Sequence, residues 1–267
     1  MQGACTVLGA WRRNYPADSQ PDFVAGTYYH QKGAWLKAVE SFEKAMKLAP
    51  DRVEIRMYLA DSLQRLHRLD EAHRHFLLCV QATPRDPNAL VGLGHCLFEQ
   101  GNFTQAEDNL TKALAINPMH RTGTYLLAKL KVAEGNAPAA LPLAETAFSL
   151  NPHDSDVRYV LAQALQGSGH AERAVPHFEF VAAQQQGQSK LRNLLEELER
   201  NPADVSLRYD IGEILLEYGN PEEGVAWLQS VLEYAPHHSK TCHALARYYR
   251  KLGRETDAAA IERRAEE

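Results

Sequence analysis

Small apolar, bulky apolar and turn-forming residues follow one another along this chain in a fixed order, repeated every 34 residues. Gly26, Ala60, Gly94, Ala128, Ala162, Gly212 and Ala246 occupy the first small slot. Seven positions on stands a glycine (Gly33, Gly101, Gly135, Gly169, Gly219, Gly253), replaced once by His67. A second small residue follows at Ala38, Ala72, Ala106, Ala140 and Gly224. Four positions later comes a bulkier one at Phe42, Phe76, Leu110 and Leu228, with Ala144 the exception. Pro50, Pro84, Pro118 and Pro152 close successive units, Pro16 extends the ruler backwards, and Pro202 and Pro236 continue it out of phase. The order predicts two helices per unit. Small residues let two helix backbones approach, the glycine supplies the helix-ending conformation that strains other residues, and proline stops the second helix.

The phase slips by 16 residues between Gln186, where a proline is due, and Pro202. The inserted stretch, Gly187–Asn201, carries Leu191, Leu194, Leu195 and Leu198 at helical spacing. Either a separate helix intervenes, or the helix beginning near Ala171 runs on to about Arg200 with a bend at Gly187. An extra helix reverses the up-and-down order of everything after it, so the single long helix is favoured; one glycine costs a helix only about 1 kcal/mol. At the start, Ala4, Leu8 and Trp11 fall in the slots of Ala38, Phe42 and Ala45, so residues 3–15 read as a second helix without its first. That predicts either a natural chain that begins further upstream or self-association through residues 3–15, because Leu8 and Trp11 lack a neighbour. The last residues, Thr256–Glu267, form a polar cap. The expected organisation is thus an incomplete leading repeat over 1–18, five contiguous units over 19–188, a helical insertion or extension over 187–204, and two further units with their cap over 205–267.

The 34-residue period and the small-large-small-proline order resemble the tetratricopeptide repeat family. Seven units can be phased, 19–52, 53–86, 87–120, 121–154, 155–188, 205–238 and 239–267, the last without its proline. The family's first-helix tryptophan is absent from all of them. The resemblance implies an all-α fold, a right-handed superhelical solenoid of helix-turn-helix repeats, whose first helices line a concave peptide-binding groove. Three positions before the first small slot stand Phe23, Met57, Val91, Tyr125, Tyr159, Tyr209 and His243; one position after it stand Thr27, Asp61, His95, Lys129, Gln163, Glu213 and Arg247. The slot four after it holds His30, Gln64, Phe98, Val132, Gln166, Leu216 and Arg250. An aromatic row with Tyr125, Tyr159 and Tyr209 beside a mixed-charge row suits a peptide: tyrosine offers area and a hydroxyl. The same tyrosines also fit between neighbouring helices as packing. Some relatives hold a carboxylate with Lys and Asn, but Phe23 and Thr27 occupy those places here. Other relatives, sugar transferases, carry an asparagine ladder, where this chain has Val24, Tyr58, Gly92, Leu126, Val160, Asp210 and Ala244. Neither activity carries over.

Composition adds exclusions. Hydrophobic residues make up 45% of the 267 and charged ones 24%, which suits a packed chain. With 29 basic against 34 acidic residues, and the cluster Arg247, Arg250, Lys251 and Arg254 only local, no nucleic-acid partner is expected. Cys5, Cys79, Cys96 and Cys242 are far apart and read as packed thiols rather than a disulfide framework or metal site. The best metal candidate, His237, His238, Cys242 and His243, conflicts with the packing slot of Cys242. No apolar run reaches the roughly 18 residues of a membrane span, and Met1 to Arg13 does not read as a signal peptide. No nucleophile, phosphate-loop or paired-carboxylate motif is present. The expectation is a non-enzymatic scaffold, without cofactor or metal, cytoplasmic as the chain stands, binding a protein or peptide in its groove through Phe23, Thr27, Met57, Asp61, His95, Tyr125, Lys129, Tyr159, Gln163, Tyr209, Glu213, His243 and Arg247. The alternative is the recognition arm of a larger enzyme or envelope assembly complex.

Overall fold

The computed structural model describes residues 2–266, all of its regular structure helical. The helices are α1 Gln2–Asn14, α2 Gln20–Gln31, α3 Trp35–Leu48, α4 Val53–Arg65, α5 Leu69–Ala82, α6 Pro87–Glu99, α7 Phe103–Ile116 and α8 Arg121–Ala133. They continue with α9 Ala137–Leu150, α10 Ser155–Gly167, α11 Ala171–Arg200, α12 Val205–Tyr218, α13 Pro221–Tyr234, α14 Ser239–Lys251 and α15 Glu255–Glu266. The chain divides into two compact units, Met1–Ala174 and Val175–Glu267.

In the first unit each helix pair packs on itself and on the next pair: α2 on α3 and α4, α4 on α5 and α6, α6 on α7 and α8. The small and large slots are the reason. A side chain at Gly26 would overlap the ring of Phe42, which is fully buried. Phe42, Ile55, Leu63 and Phe76 run into one core with Cys96, and Cys79 is likewise fully buried. Burial raises those thiols to about 11 and about 12, so both are packed, unreactive groups. Cys5 and the slot residue Ala4 lie outside the described side chains.

The proline ruler works through the residue before it. Ala49, Thr83, Asn117 and Asn151 each end a second helix with ψ between 72° and 90°, because a following proline excludes the helical region. The next first helix is then capped: Asp86 accepts from Asn88 N (2.9 Å), His120 Nδ1 from Gly123 N (3.1 Å), and Asp154 from Asp156 N (2.9 Å) and Val157 N (3.1 Å). Within repeats, the turn slot is left-handed at Gly33, Gly101, Gly135 and Gly169, and also at His67, with φ 55°. Proline does not break every helix that contains it. Pro142 in α9 and Pro176 in α11 sit in the same repeat slot, and both helices continue past them.

Helix α1 packs on α2. Trp11 is half-buried and its indole N–H donates to Asp18 Oδ2 (3.0 Å), while Arg12 pairs with Asp22 (2.7 Å).

Helix α11 runs unbroken for 30 residues from Ala171 to Arg200, with Gly187 inside it. In the second unit Gly187 is a point of close approach, since a Cβ there would lie 2.7 Å from the Tyr218 ring. Leu194 and Leu198 of the inserted stretch pack with Leu207, Ile211 and Leu215 of α12. Leu228, Cys242, Leu245 and Ala246 form the neighbouring core of α13 and α14. One turn departs from the expectation. Gly219 has φ −127° and is not left-handed. Pro221 holds Asn220 extended (ψ 110°), so α12 runs one residue longer and the turn closes differently.

Candidate functional site

The first helices of the first unit line a groove of about 1220 Å³ that runs from His30 on α2 across α4, α6 and α8 to the start of α10. Its floor is apolar and aromatic, with Met57, Tyr58, Phe76, Val91, Tyr125 and Leu126. Gly92 shapes it: a side chain there would overlap the Phe76 ring, so the ring of the preceding second helix reaches the groove surface.

Polar contacts about 30 residues apart tie each repeat to the next along this face. His30 Nδ1 meets Ser62 Oγ (3.1 Å) and its Nε2 lies 3.2 Å from Asp61. Gln64 donates to Cys96 Sγ (3.6 Å), and His120 Nε2 meets Asn88 Oδ1 (3.1 Å). Since His120 Nδ1 accepts from Gly123, its Nε2 carries the proton and donates to Asn88.

Burial dominates the electrostatics. It lowers His30 despite the opposing Asp61 carboxylate, and Arg65 lowers it further. Although His30 and Asp61 are close enough for an ion pair, burial outweighs that attraction, and the contact is a neutral imidazole N–H donating to a carboxylate. Ser62 then turns its hydroxyl toward His30 Nδ1; when His30 is protonated, the hydroxyl has the Tyr58 carbonyl at 2.8 Å instead. His95 is lowered by burial, against Glu99 and with Lys129. Tyr125 is pushed up to about 12 by burial, then by Asp156, Asp154 and Glu99. Lys129 sits 4.9 Å from the Phe98 ring centre and 3.9 Å from Glu99 Oε1.

Of the residues the sequence singled out, Met57, Asp61, His95, Tyr125 and Lys129 line this groove together. Phe23 and Thr27 do not. Phe23 packs edge-on to Tyr58 (5.7 Å between centroids) and against Phe42 (6.0 Å), and the Thr27 hydroxyl bonds back to Val24 O (3.0 Å). Tyr159, on α10, is 45% exposed and, with Gln163, stands outside the lining. Tyr209, Glu213, His243 and Arg247 belong to the second unit. There Tyr209 lies 5.5 Å from the His238 ring, Arg247 pairs with Glu213 (2.8 Å), and His243 meets Ser239 (3.3 Å). The groove also gathers residues the slot reading passed over: Tyr58, Gly92, His120, Arg121, Asp154 and Asp156. A signal for Gly92 was present, since it is the one position in the row Val24, Tyr58, Gly92, Leu126, Val160 without a side chain. His120, Arg121, Asp154 and Asp156 stand at the starts of α8 and α10, and Tyr58 lies mid-helix in α4.

Family models described as tetratricopeptide repeat match residues 87–120 and 131–198, and the first stretch has the bounds of the third unit read from the period. The chain is a tetratricopeptide-repeat array. Among solved structures, this array is similar to the MamA protein at 21% identity over 64% of this chain and 94% of that one, with a TM-score of 0.51. It is similar to a tetratricopeptide repeat protein from Parabacteroides merdae at 16% identity over 93% and 92%, TM-score 0.50. A thermophilic protein of the same repeat type in Thermus thermophilus matches at 22% identity over 74% and 99%, TM-score 0.51. At these identities the likeness shows the fold. No curated protein matches the array. Among the described residues, no helix is long and apolar enough to cross a membrane. No group of three or more His, Cys, Asp or Glu among them could hold a metal ion. Cys242, the sequence's metal candidate, is fully buried, and His238 Nδ1 meets the Thr241 hydroxyl at 2.7 Å.

Proposed function

We propose that the chain is a non-enzymatic protein-interaction scaffold whose first unit holds a segment of a partner protein in the groove between α2 and α10. The observation that carries this reading is the groove's form: an apolar, aromatic floor with polar rims, continuous over five first helices. Packed helices lie 8–10 Å apart, so four intervals span roughly 35 Å, the length of about ten residues of extended chain. Met57 and Tyr125 supply buried contact area, and Asp61, His95 and Lys129 supply rim groups that orient the segment. The phenol of Tyr125, held protonated by its surroundings, serves as a hydrogen-bond donor.

The test is capture of partners from the native cell by the full chain, with Tyr125→Ala beside the parent and Phe103→Ala as an exposed control outside the groove. Truncating a central aromatic anchor typically costs about 2 kcal/mol or more of affinity. Tyr125→Ala is expected to lose the partner at unchanged helix content, with Phe103→Ala retaining it. Retention by Tyr125→Ala, or loss by both variants alike, overturns the groove reading.

A further inference from the structure

The two ends of the groove differ in charge, and the difference bears on what the partner segment carries. Where α6, α8 and α10 begin, Asp86, Asp154 and Asp156 line the groove with Arg121 as the one lining cation among them. None of the three carboxylates has a Lys or Arg ion pair among the described residues. Asp86 and Asp154 cap the helices that follow them, and Asp154 Oδ2 also accepts from Asn151 (3.0 Å). A capping carboxylate keeps its charge, however, and Asp156 caps nothing: it is exposed one residue into α10. Beside them stands the half-buried Tyr125, its phenol raised by burial and then by Asp156, Asp154 and Glu99, with Lys129 Nζ 6.0 Å from its ring centre. At the far end the cations are answered locally. Lys129 has Glu99 and the Phe98 ring, and Arg65 lies 5.6 Å from the Trp35 ring centre.

We propose, resting on the groove reading above, that the partner segment is cationic and lays a lysine or arginine side chain along the Tyr125 ring against Asp154 and Asp156. The chemistry of that corner suits such a side chain. Its methylene stem packs on an aromatic face, its head is attracted to the ring and reaches the carboxylates, and neither carboxylate must give up an existing cation. An acidic segment meets like charge at the same place, which selects against it.

The probes are two fluorescein-labelled ten-residue synthetic peptides, identical in leucine and serine positions, one carrying arginines and the other glutamates. Polarisation titrations with the full chain are expected to show the arginine peptide binding at least about tenfold more tightly. Asp154→Asn with Asp156→Asn is expected to weaken it about tenfold, and the fold survives because asparagine caps a helix as well as aspartate does. Asp108→Asn with Glu145→Gln removes two exposed carboxylates outside the groove and leaves the affinity unchanged. No binding of the arginine peptide, equal binding of both peptides, no loss in the Asp154/Asp156 variant, or an equal loss in the control variant each overturns the cationic segment. Tyr125→Ala separates the two readings. A glutamate peptide that binds and is lost on Tyr125→Ala overturns the cationic segment and keeps the groove. Peptide binding that is indifferent to Tyr125→Ala overturns the groove itself.

Discussion

The two units carry the same repeat and use it differently. In the first, every turn inside a repeat passes through a left-handed residue, and the first helices leave an open groove with aromatic and imidazole groups on its surface. In the second, Gly219 leaves the left-handed region, and the equivalent side chains are engaged with one another. Arg208 lies 4.8 Å from the Tyr234 ring centre and 5.7 Å from that of Trp227, Arg247 pairs with Glu213, and Tyr209 faces His238. A tyrosine in one repeat slot is thus a groove wall at Tyr125 and a packing residue at Tyr209. The slot fixes where the Cα stands; the neighbours fix what the ring does.

The strongest way to break this comparison is to unfold the units separately. In a solenoid each repeat touches only its neighbours, so local damage stays local. Phe42→Ala, at the centre of the first core, is expected to cost roughly 3–5 kcal/mol, and Leu228→Ala in the second roughly 2–5 kcal/mol. Urea unfolding followed by tryptophan fluorescence, with Trp227 replaced by Phe, reports the first unit through Trp11 and Trp35; with those two replaced by Phe instead, Trp227 reports the second. Each variant should shift only its own transition. One shared transition moved equally by both variants makes the chain a single cooperative block.

Next in size is the contrast between the tyrosines. Tyr125→Ala should remove partner binding with little change in melting temperature. Tyr209→Ala should do the reverse, lowering stability of the second unit by about 1–3 kcal/mol with binding unchanged. Exchange of those two outcomes would reverse the assignment of wall and core.

Acid separates the units more gently. Burial places His30, His75, His95 and His120, all in the first unit, below the ordinary imidazole value of 6.5. The unfolded chain therefore binds protons first as pH falls. Stability of the first unit is full above that ordinary value and is lost progressively as pH drops through it towards the folded values. Its melting temperature should fall between about pH 7.5 and about pH 5, and His95→Gln should flatten the fall. A melting temperature that is constant or rising over that range contradicts buried neutral imidazoles.

The smallest effects lie in the turns. Gly101 has φ 78° with open space around it, so Gly101→Ala tests backbone strain alone and should cost about 1 kcal/mol. His67 already carries that strain at φ 55°, and His67→Gly should gain a few tenths to about 1 kcal/mol, part of the relief being offset by the looser unfolded chain. Equal and opposite shifts in thermal denaturation sharpen the rule; no response at His67 removes it.

Much of the fold was legible because its determinants are local. The residue before each repeat-closing proline of the first unit is forced out of the helical region, a left-handed glycine or His67 closes each turn there, and a glycine at position 26 leaves room for Phe42. The groove was legible only in part, at Met57, Asp61, His95, Tyr125 and Lys129, because slots map to helix faces and not to neighbours. Phe23 was drawn into packing by Tyr58, and Asp154 and Asp156 look in sequence like ordinary helix-start residues.

By itself, then, the sequence determined the repeat, its period and its break, since these rest on steric rules that act within a few residues. Only the tertiary structure decided that α11 continues through Gly187, where the Tyr218 ring fills the space a side chain would take. It likewise decided that Gly92 lets Phe76 reach the groove floor and that the groove histidines are held neutral by burial. Each of these depends on residues far away in the chain brought within a few ångströms, and desolvation and close packing are set by those neighbours and not by the local sequence.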